Sequence, residues 1–263
     1  MKIPFYQVDS FARTVFKGNP AGVCMLDEWL SKELMQQIAA ENNLSETAFF
    51  VPHEDGYRIR YFTPKVEVDL CGHATLAAAH ILFYRLAAGK TKIRFYANKT
   101  TFSVFREEDF IRMDFPAVKS WSEFKNTSDL EEALGVKVKC AVAADDLLVE
   151  LENEASIKQV KPSFNQLANL PYRGIIITAQ GEKVDFVSRF FAPGLGINED
   201  PVTGSAHTFL VPYWHQKTGK KDFEASQLSE RGGQLFCTLS ESSETVAVKG
   251  TARTYLEGNI TTK

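Results

Sequence analysis

The chain has 263 residues, of which 44% are hydrophobic and 24% charged, and its formal net charge is −3. That is enough apolar material for one large core or two ordinary ones, and basic and acidic side chains mix along the whole length. The pattern excludes a basic nucleic-acid footprint and a polybasic membrane arm, and the longest nearly uncharged apolar stretch, residues 74–83, is too short to span a bilayer.

The opening Met1-Lys2-Ile3-Pro4-Phe5 lacks the apolar run of a signal peptide, so the expected compartment is the cytoplasm. Cys24, Cys71, Cys140 and Cys237 are scattered with no CxxC pair, which speaks against a disulfide framework or a zinc site. No HExxH occurs among the five histidines, so no metal is expected.

In chain order, residues 5–8 alternate like a strand and lead into a loop, Gly18-Asn19-Pro20-Ala21-Gly22, with Asn19 on its rim. After a strand at 23–26, Ser31 offers an N-cap, and Leu30, Leu34 and Ile38 mark an amphipathic helix to about Asn43. A short turn through Leu44, Ser45 and Glu46 enters an apolar strand, and residues 57–63 alternate again. Residues 74–88 read as a helix apolar nearly all round, interrupted by His80 and Arg85 and stopped by Gly89. Such a helix must be wrapped on every face. Strands follow at 91–96, 101–106 and 110–115, then a connecting stretch at 121–126 and a short helix at 129–134.

The second half repeats the first. Arg60-Tyr61-Phe62-Thr63-Pro64 matches Arg189-Phe190-Phe191-Ala192-Pro193, and seven positions separate Pro64 from Cys71 just as seven separate Pro193 from Asp200. Both intervals end in a glycine turn, Cys71-Gly72-His73 and Thr203-Gly204-Ser205, followed by an apolar helix. Pro212 falls inside the second helix and is expected to kink it. The repeat predicts two α+β halves, residues 1–118 and 119–263, with the last strand able to return to the first half.

Two halves facing each other would put Cys71 and Asp200 on opposite walls of a cleft, with a helix N-terminus aimed in from each side. Unpaired N–H groups and the positive helix ends would suit a small anionic substrate, most simply a carboxylate. Gly72 and Gly204 would let it approach the backbone. Charge that develops as a neighbouring C–H loses its proton would be stabilised there, given a positioned general base.

Asn43-Leu44-Ser45-Glu46-Thr47, Phe62-Thr63-Pro64, Asp69-Leu70-Cys71-Gly72-His73-Ala74-Thr75 and Glu199-Asp200-Pro201-Val202-Thr203-Gly204-Ser205-Ala206 resemble the signature segments of the phenazine-biosynthesis (PhzF-like) isomerase family, related in fold to diaminopimelate epimerase. The resemblance runs in order from Gly18 to at least Ser205. It implies an α+β fold of two pseudo-symmetric halves, each a curved mixed sheet or barrel around a central helix. It also implies a homodimer that uses no metal or organic cofactor. The family's glutamate, which moves a proton between carbons, matches Glu46. Its other site residues match His73, Asp200 and Ser205. Backbone around Gly72, Ala74 and Gly204 would hold the anion, and Asn19 is a candidate substrate contact.

Other readings stay open on the residues alone. Glu46 could be a turn carboxylate. His73, near a helix start, should favour its neutral form. Cys71 is as well explained by packing as by a role as second base, and a racemase using Cys71 and Asp200 as opposed bases is the rival chemistry. A non-catalytic binding or scaffold protein with this fold is the third reading. Cys24, Cys140 and Cys237 read as packing, and His80, His207 and His215 as core histidines. Gly194-Leu195-Gly196 fails as a nucleotide loop because Glu199 stands where a third glycine is needed.

Overall fold

The computed structural model describes residues 1–262. The chain divides into two compact units: Met1–Asp114 with the C-terminal stretch from Lys249, and Phe115–Val248. Among the described residues no helix is long and apolar enough to cross a membrane.

The first unit opens with β1 (Lys2–Ser10) and β2 (Asn19–Met25). It continues through α1 (Lys32–Asn42), β3 (Glu46–His53), β4 (Gly56–Phe62), β5 (Glu67–Val68) and α2 (Gly72–Ile81). Strands β6 (Lys92–Tyr96), β7 (Thr101–Glu107) and β8 (Phe110–Pro116) follow. β1 pairs antiparallel with β2 and with the closing strand Ala252–Thr261; β2 runs parallel to β3, β3 antiparallel to β4, and β4 parallel to β6. The mixed pattern wraps α2, and residues 73–79 of that helix are all buried. Small side chains make this possible, because Ala74, Ala77, Ala78 and Ala79 let sheet side chains close in from every direction.

Three sequence expectations change here. The Gly18–Gly22 loop is mostly strand, since β2 starts at Asn19. Pro20 is tolerated because pairing with β3 begins only at Ala21, so its missing N–H interrupts no bond on that side. The apolar helix starts two residues early, at Gly72, and after Ile81 widens into a π-helical turn (Leu82–Leu86) that closes with Ala87 N–H on the Leu82 carbonyl at 2.7 Å. In α1 the expected caps are in place: Ser31 accepts from Leu34 N–H, and Asn43 takes the left-handed conformation.

The second unit contains β9 (Ser122–Glu123), within the expected connecting stretch, and α3 (Thr127–Leu134). β10 (Cys140–Ala143), β11 (Leu147–Glu150), α4 (Glu154–Gln159), α5 (Phe164–Leu167) and β12 (Ile175–Gln180) come next. The unit ends with β13 (Phe186–Ala192), β14 (Ile197–Asp200), α6 (His207–Thr218), β15 (Asp222–Gln227), β16 (Gly233–Leu239) and β17 (Thr245–Gly250). β11 is parallel to β12, β12 antiparallel to β13, and β13 parallel to β15. This is the β2–β3–β4–β6 pattern again. Bulky Phe209, Leu210, Val211, Tyr213 and Trp214 fill α6's surroundings where α2 uses alanine. Pro212 lies within α6, and the Thr208 carbonyl that its missing N–H leaves unpaired accepts from Val118 N–H at 2.9 Å.

The repeated arginine does the same work in each unit. Arg60 grips Glu67 through two bonds of 2.7 and 2.9 Å and lies 5.2 Å over Phe62. Arg189 grips Glu199 through bonds of 2.7 and 2.9 Å and lies 5.0 Å over Phe191. Each clamp ties a long strand to the short strand that follows it and leads toward the central helix.

Hydrogen bonds from Arg60 outweigh burial at Glu67 and hold its carboxyl at about 2, below the ordinary 4.5. The folded form therefore gains stability that is fully present above about pH 4.5 and is lost as pH falls toward 2. Urea titrations of Glu67→Gln should show a flatter acid limb across that window. Arg189 also donates to the Ile157 and Val160 carbonyls. Arg189→Ala should lower the unfolding free energy by about 3 kcal/mol, because a half-buried carboxylate and two carbonyls lose their partner.

Candidate functional site

The site in the first unit is built by two cross-strand neighbours. Ser10 at the end of β1 sits opposite Asn19 at the start of β2. Ser10 Oγ donates to the His73 backbone carbonyl at 2.7 Å, and Asn19 Nδ2 lies 3.1 Å from His73 Nδ1. One holds the backbone of α2's first turn and the other holds the imidazole. The turn before Asn19 depends on Gly18, whose φ is +68° and where a Cβ would fall 2.1 Å from the Ser10 carbonyl oxygen. Only glycine lets the two strands close there. Asn19 is fully buried. It lies in a paired strand against the His73 ring, where a loop was expected from sequence.

Glu46 opens β3, level with Ala21 of the parallel β2. Its carboxylate is buried, and Oε2 lies 3.0 Å from His73 Nε2, at ion-pair distance but without hydrogen-bond alignment. The N-cap of α2 is Cys71, whose Sγ sits 3.5 Å from His73 Nδ1 and 3.9 Å from Nε2. A buried chain fixes it from behind: Tyr61 Oη is 2.6 Å from Thr75 Oγ1, which donates to the Cys71 carbonyl at 2.7 Å. The donor atoms of Glu46, Cys71 and His73 all lie within 4.8 Å of one another.

Burial raises the Glu46 carboxyl, but the charge of His73 and the close polar contacts of His73 and Cys71 prevail and leave it below the ordinary carboxylate value. Burial pushes the Cys71 thiol up to about 11, helped by the Glu46 charge, so it is a neutral thiol near pH 7. Burial opposes protonation of His73, yet its sulfur and carboxylate neighbours raise it well above the ordinary 6.5. Since the thiol is neutral, Glu46 is the lasting source of that effect. The helix end favours the neutral ring, and the full charge of Glu46 at 3.0 Å acts in the opposite direction. The result is a buried carboxylate beside an imidazole shifted toward its charged form.

Gly72 and Ala74 share α2's first turn with His73. Asp200, Gly204 and Ser205 lie in the second unit around a different turn. Asp200 ends β14, and its Oδ2 accepts from Thr203 Oγ1 at 2.5 Å. Gln227 clamps this turn, accepting from Thr203 N–H at 2.9 Å and donating to the Asp200 carbonyl at 2.8 Å. Ser205 Oγ accepts from Arg173 at 3.3 Å, and Arg173 is itself held by two bonds to the buried Asp146. Gln227 and Arg173 carry no sequence signal, since each stands outside any motif and meets its turn only through the tertiary fold.

The structural register of the repeat corrects the count from the prolines. Thr203 is the residue before the second glycine turn, as Cys71 is before the first. Thr75 bonds back to the Cys71 carbonyl, and His207 Nδ1 bonds back to the Thr203 carbonyl at 3.0 Å. Cys71 thus corresponds to Thr203, and Asp200 lies three residues upstream because the intervals after the two prolines differ in length.

The remaining histidines and cysteines mostly pack. His207 is buried and held down to about 4 by desolvation. His80 and His215 are half-buried, bonded to Thr254 at 3.1 Å and to the Lys220 carbonyl at 2.6 Å. Cys24 and Cys237 are buried. Cys140 departs from simple packing, with its sulfur 3.2 Å from Tyr213 Oη and 3.5 Å from Glu150.

If Glu46 sustains the charge on His73, Glu46→Gln should drop the His73 titration midpoint below that of the parent chain, because burial then acts unopposed by a carboxylate. Imidazole ¹⁵N shifts followed against pH measure this directly.

Residues 8–258 match the PhzC-PhzF family model, described as phenazine biosynthesis-like protein. An uncharacterized isomerase of Pseudomonas aeruginosa is 49% identical over 261 residues, covering 99% of each chain. The crystal structure of a phenazine biosynthesis protein of the PhzF family from Enterococcus faecalis superposes with a TM-score of 0.96 at 42% identity, covering 100% of both chains. A hydroxyproline epimerase from Agrobacterium vitis shares the fold alone, with a TM-score of 0.64 at 8% identity over 98% of this chain and 92% of that one. The chain belongs to the PhzC-PhzF family of phenazine biosynthesis-like proteins and is an isomerase.

Proposed function

We propose that the chain is a cofactor-independent isomerase in which Glu46 moves a carbon-bound proton on a small carboxylate-bearing substrate. The carrying observation is the buried Glu46 carboxylate 3.0 Å from His73 Nε2. Glu46 takes the proton from a carbon next to an acidifying group, and the C–H electron pair enters the adjacent unsaturated system. His73 stabilises the negative charge that develops, and the proton returns from Glu46 at a different carbon. Gly72 and Ala74 offer backbone N–H groups at the start of α2 for the substrate's carboxylate. Asp200, Gly204 and Ser205 hold polar groups of the substrate in the role that the family resemblance implies. Four free thiols suit the reducing cytoplasm, and a homodimer is the assembly the resemblance implies.

Cys71 fits a supporting role. Burial keeps its thiol neutral near pH 7, and its sulfur lies within 4.8 Å of a Glu46 carboxylate oxygen. A pair of opposed bases made of Cys71 and Asp200 has no support from the repeat, whose register sets Cys71 against Thr203.

Proton exchange in D₂O, followed by NMR across a panel of cyclic and amino-acid-like carboxylic acids, tests the proposal. With an acid that the parent chain exchanges, Glu46→Gln should keep the fold and ligand binding while exchange slows by about 10²–10⁴-fold. Undiminished exchange removes Glu46 from the chemistry. Cys71→Ser should stay near the parent rate; a loss as large as that of Glu46→Gln would favour the thiol as base.

A further inference from the structure

The outer face of the first unit's sheet is covered only in part. Met35, Ile38 and Ala39 of α1 pack with Phe49, Val51 and Phe62 in one apolar cluster, with Trp29 at its margin. Arg58 and Arg60 alternate onto the same face as Phe62. A cavity of about 430 Å³ opens there, lined by Trp29, His53, Arg58, Tyr96, Asn98 and Thr101. That is the volume of a small-molecule site. Strand register assembles it: Tyr96 stands level with Arg58 on β6, Thr101 level with Tyr96 on β7, and His53 two residues beyond the Val51–Arg58 pair on β3.

The aromatic walls are held by contacts of their own. His53 and Tyr96 meet edge to face, with ring centroids 4.9 Å apart, and Tyr96 Oη donates to Asp55 at 2.6 Å. The Arg60 guanidinium lies 5.5 Å over the Trp29 ring while its N–H groups are engaged with Glu67. The neighbouring cations are likewise matched: Lys32 with Glu67, Arg94 with Asp55 and Lys99 with Asp69. Arg58 differs. It is exposed, and among the described residues its side chain has no hydrogen bond, ion pair or ring contact. An unmatched guanidinium is a planar fork suited to a carboxylate or phosphate through two parallel bonds. Aromatic walls beside it suit a flat ring, which stacks on a face or meets an edge.

We infer that this cavity is a second ligand site, which takes a planar ring bearing a carboxylate or phosphate. Arg58 grips the anion, Trp29, His53 and Tyr96 flank the ring, and the Thr101 hydroxyl and Asn98 amide supply further hydrogen-bonding groups. Glu46 and His53 are the first and last residues of β3, about 23 Å apart along an extended strand. The cavity is therefore separate from the Glu46–His73 pair, and its occupation does not rest on the proton-transfer reading.

Trp29 is one of three tryptophans, so its indole N–H is a local probe in ¹H–¹⁵N spectra of the full chain, assigned with Trp29→Phe. Adenosine 5′-monophosphate or benzoate should move that signal saturably, and the tighter of the two tells a phosphate preference from a carboxylate one. Adenosine and benzyl alcohol, which lack the anion, and inorganic phosphate and acetate, which lack the ring, should each bind more weakly. Arg58→Ala should weaken the ringed anion about tenfold or more, and Arg58→Lys, which keeps the charge without the fork, should fall between. Because Arg58 is exposed, the signals of Trp121 and Trp214 should stay in place in both variants. Glu46→Gln should leave the titration unchanged. A Trp29 signal unmoved by both ringed anions, or an affinity unaltered in Arg58→Ala, overturns the site. A response lost in Glu46→Gln and kept in Arg58→Ala would place the ligand at the Glu46–His73 pair and overturn it as well.

Discussion

A carboxylate and an imidazole buried together can both stay charged only while each faces the other. Removing either from water alone costs several kcal/mol, and that cost falls on whichever group loses its partner. The first unit is arranged around this pairing of Glu46 and His73. Ser10 and Asn19 meet across two strands to hold opposite ends of His73, Gly18 lets those strands turn, and the Tyr61–Thr75 chain holds the helix start from behind. They act by leaving the imidazole no other place to stand.

The second unit shows what duplication keeps and what it replaces. Both units retain the parallel-antiparallel strand pattern, the arginine–carboxylate clamp over an aromatic ring, and a side chain in the first helical turn that bonds back to the residue before the glycine. The chemistry at the equivalent positions has diverged. Cys71 and His73 correspond to Thr203 and Ser205, hydroxyls that carry no charge near neutral pH. The thiol and imidazole of the first turn thus have no titratable counterparts in the second, where the Asp200–Thr203 turn is held by the amide of Gln227. A scaffold under packing constraint changes slowly, whereas the groups it presents are free to differ.

The place of Cys71 follows from the same electrostatics. Next to a carboxylate and deeply buried, its thiol resists ionisation, which disfavours it as a base.

Much of this protein was legible in the amino-acid sequence, because the relevant signals are local. The caps of α1 lie beside the residues they cap, the all-apolar α2 announces that it is wrapped, and Arg60 and Arg189 mark a repeat by simple recurrence. Glu46 and His73 stood out through short motifs around them. Tertiary structure alone decided that Asn19 is buried behind His73, since that depends on β1 pairing with β2. It decided that Gln227 and Arg173 brace distant turns, that Cys71 answers to Thr203, and that His73 faces the Glu46 carboxylate. Each of those facts is a distance between residues far apart in the chain, and an electrostatic balance follows distance in space, which residue order does not encode.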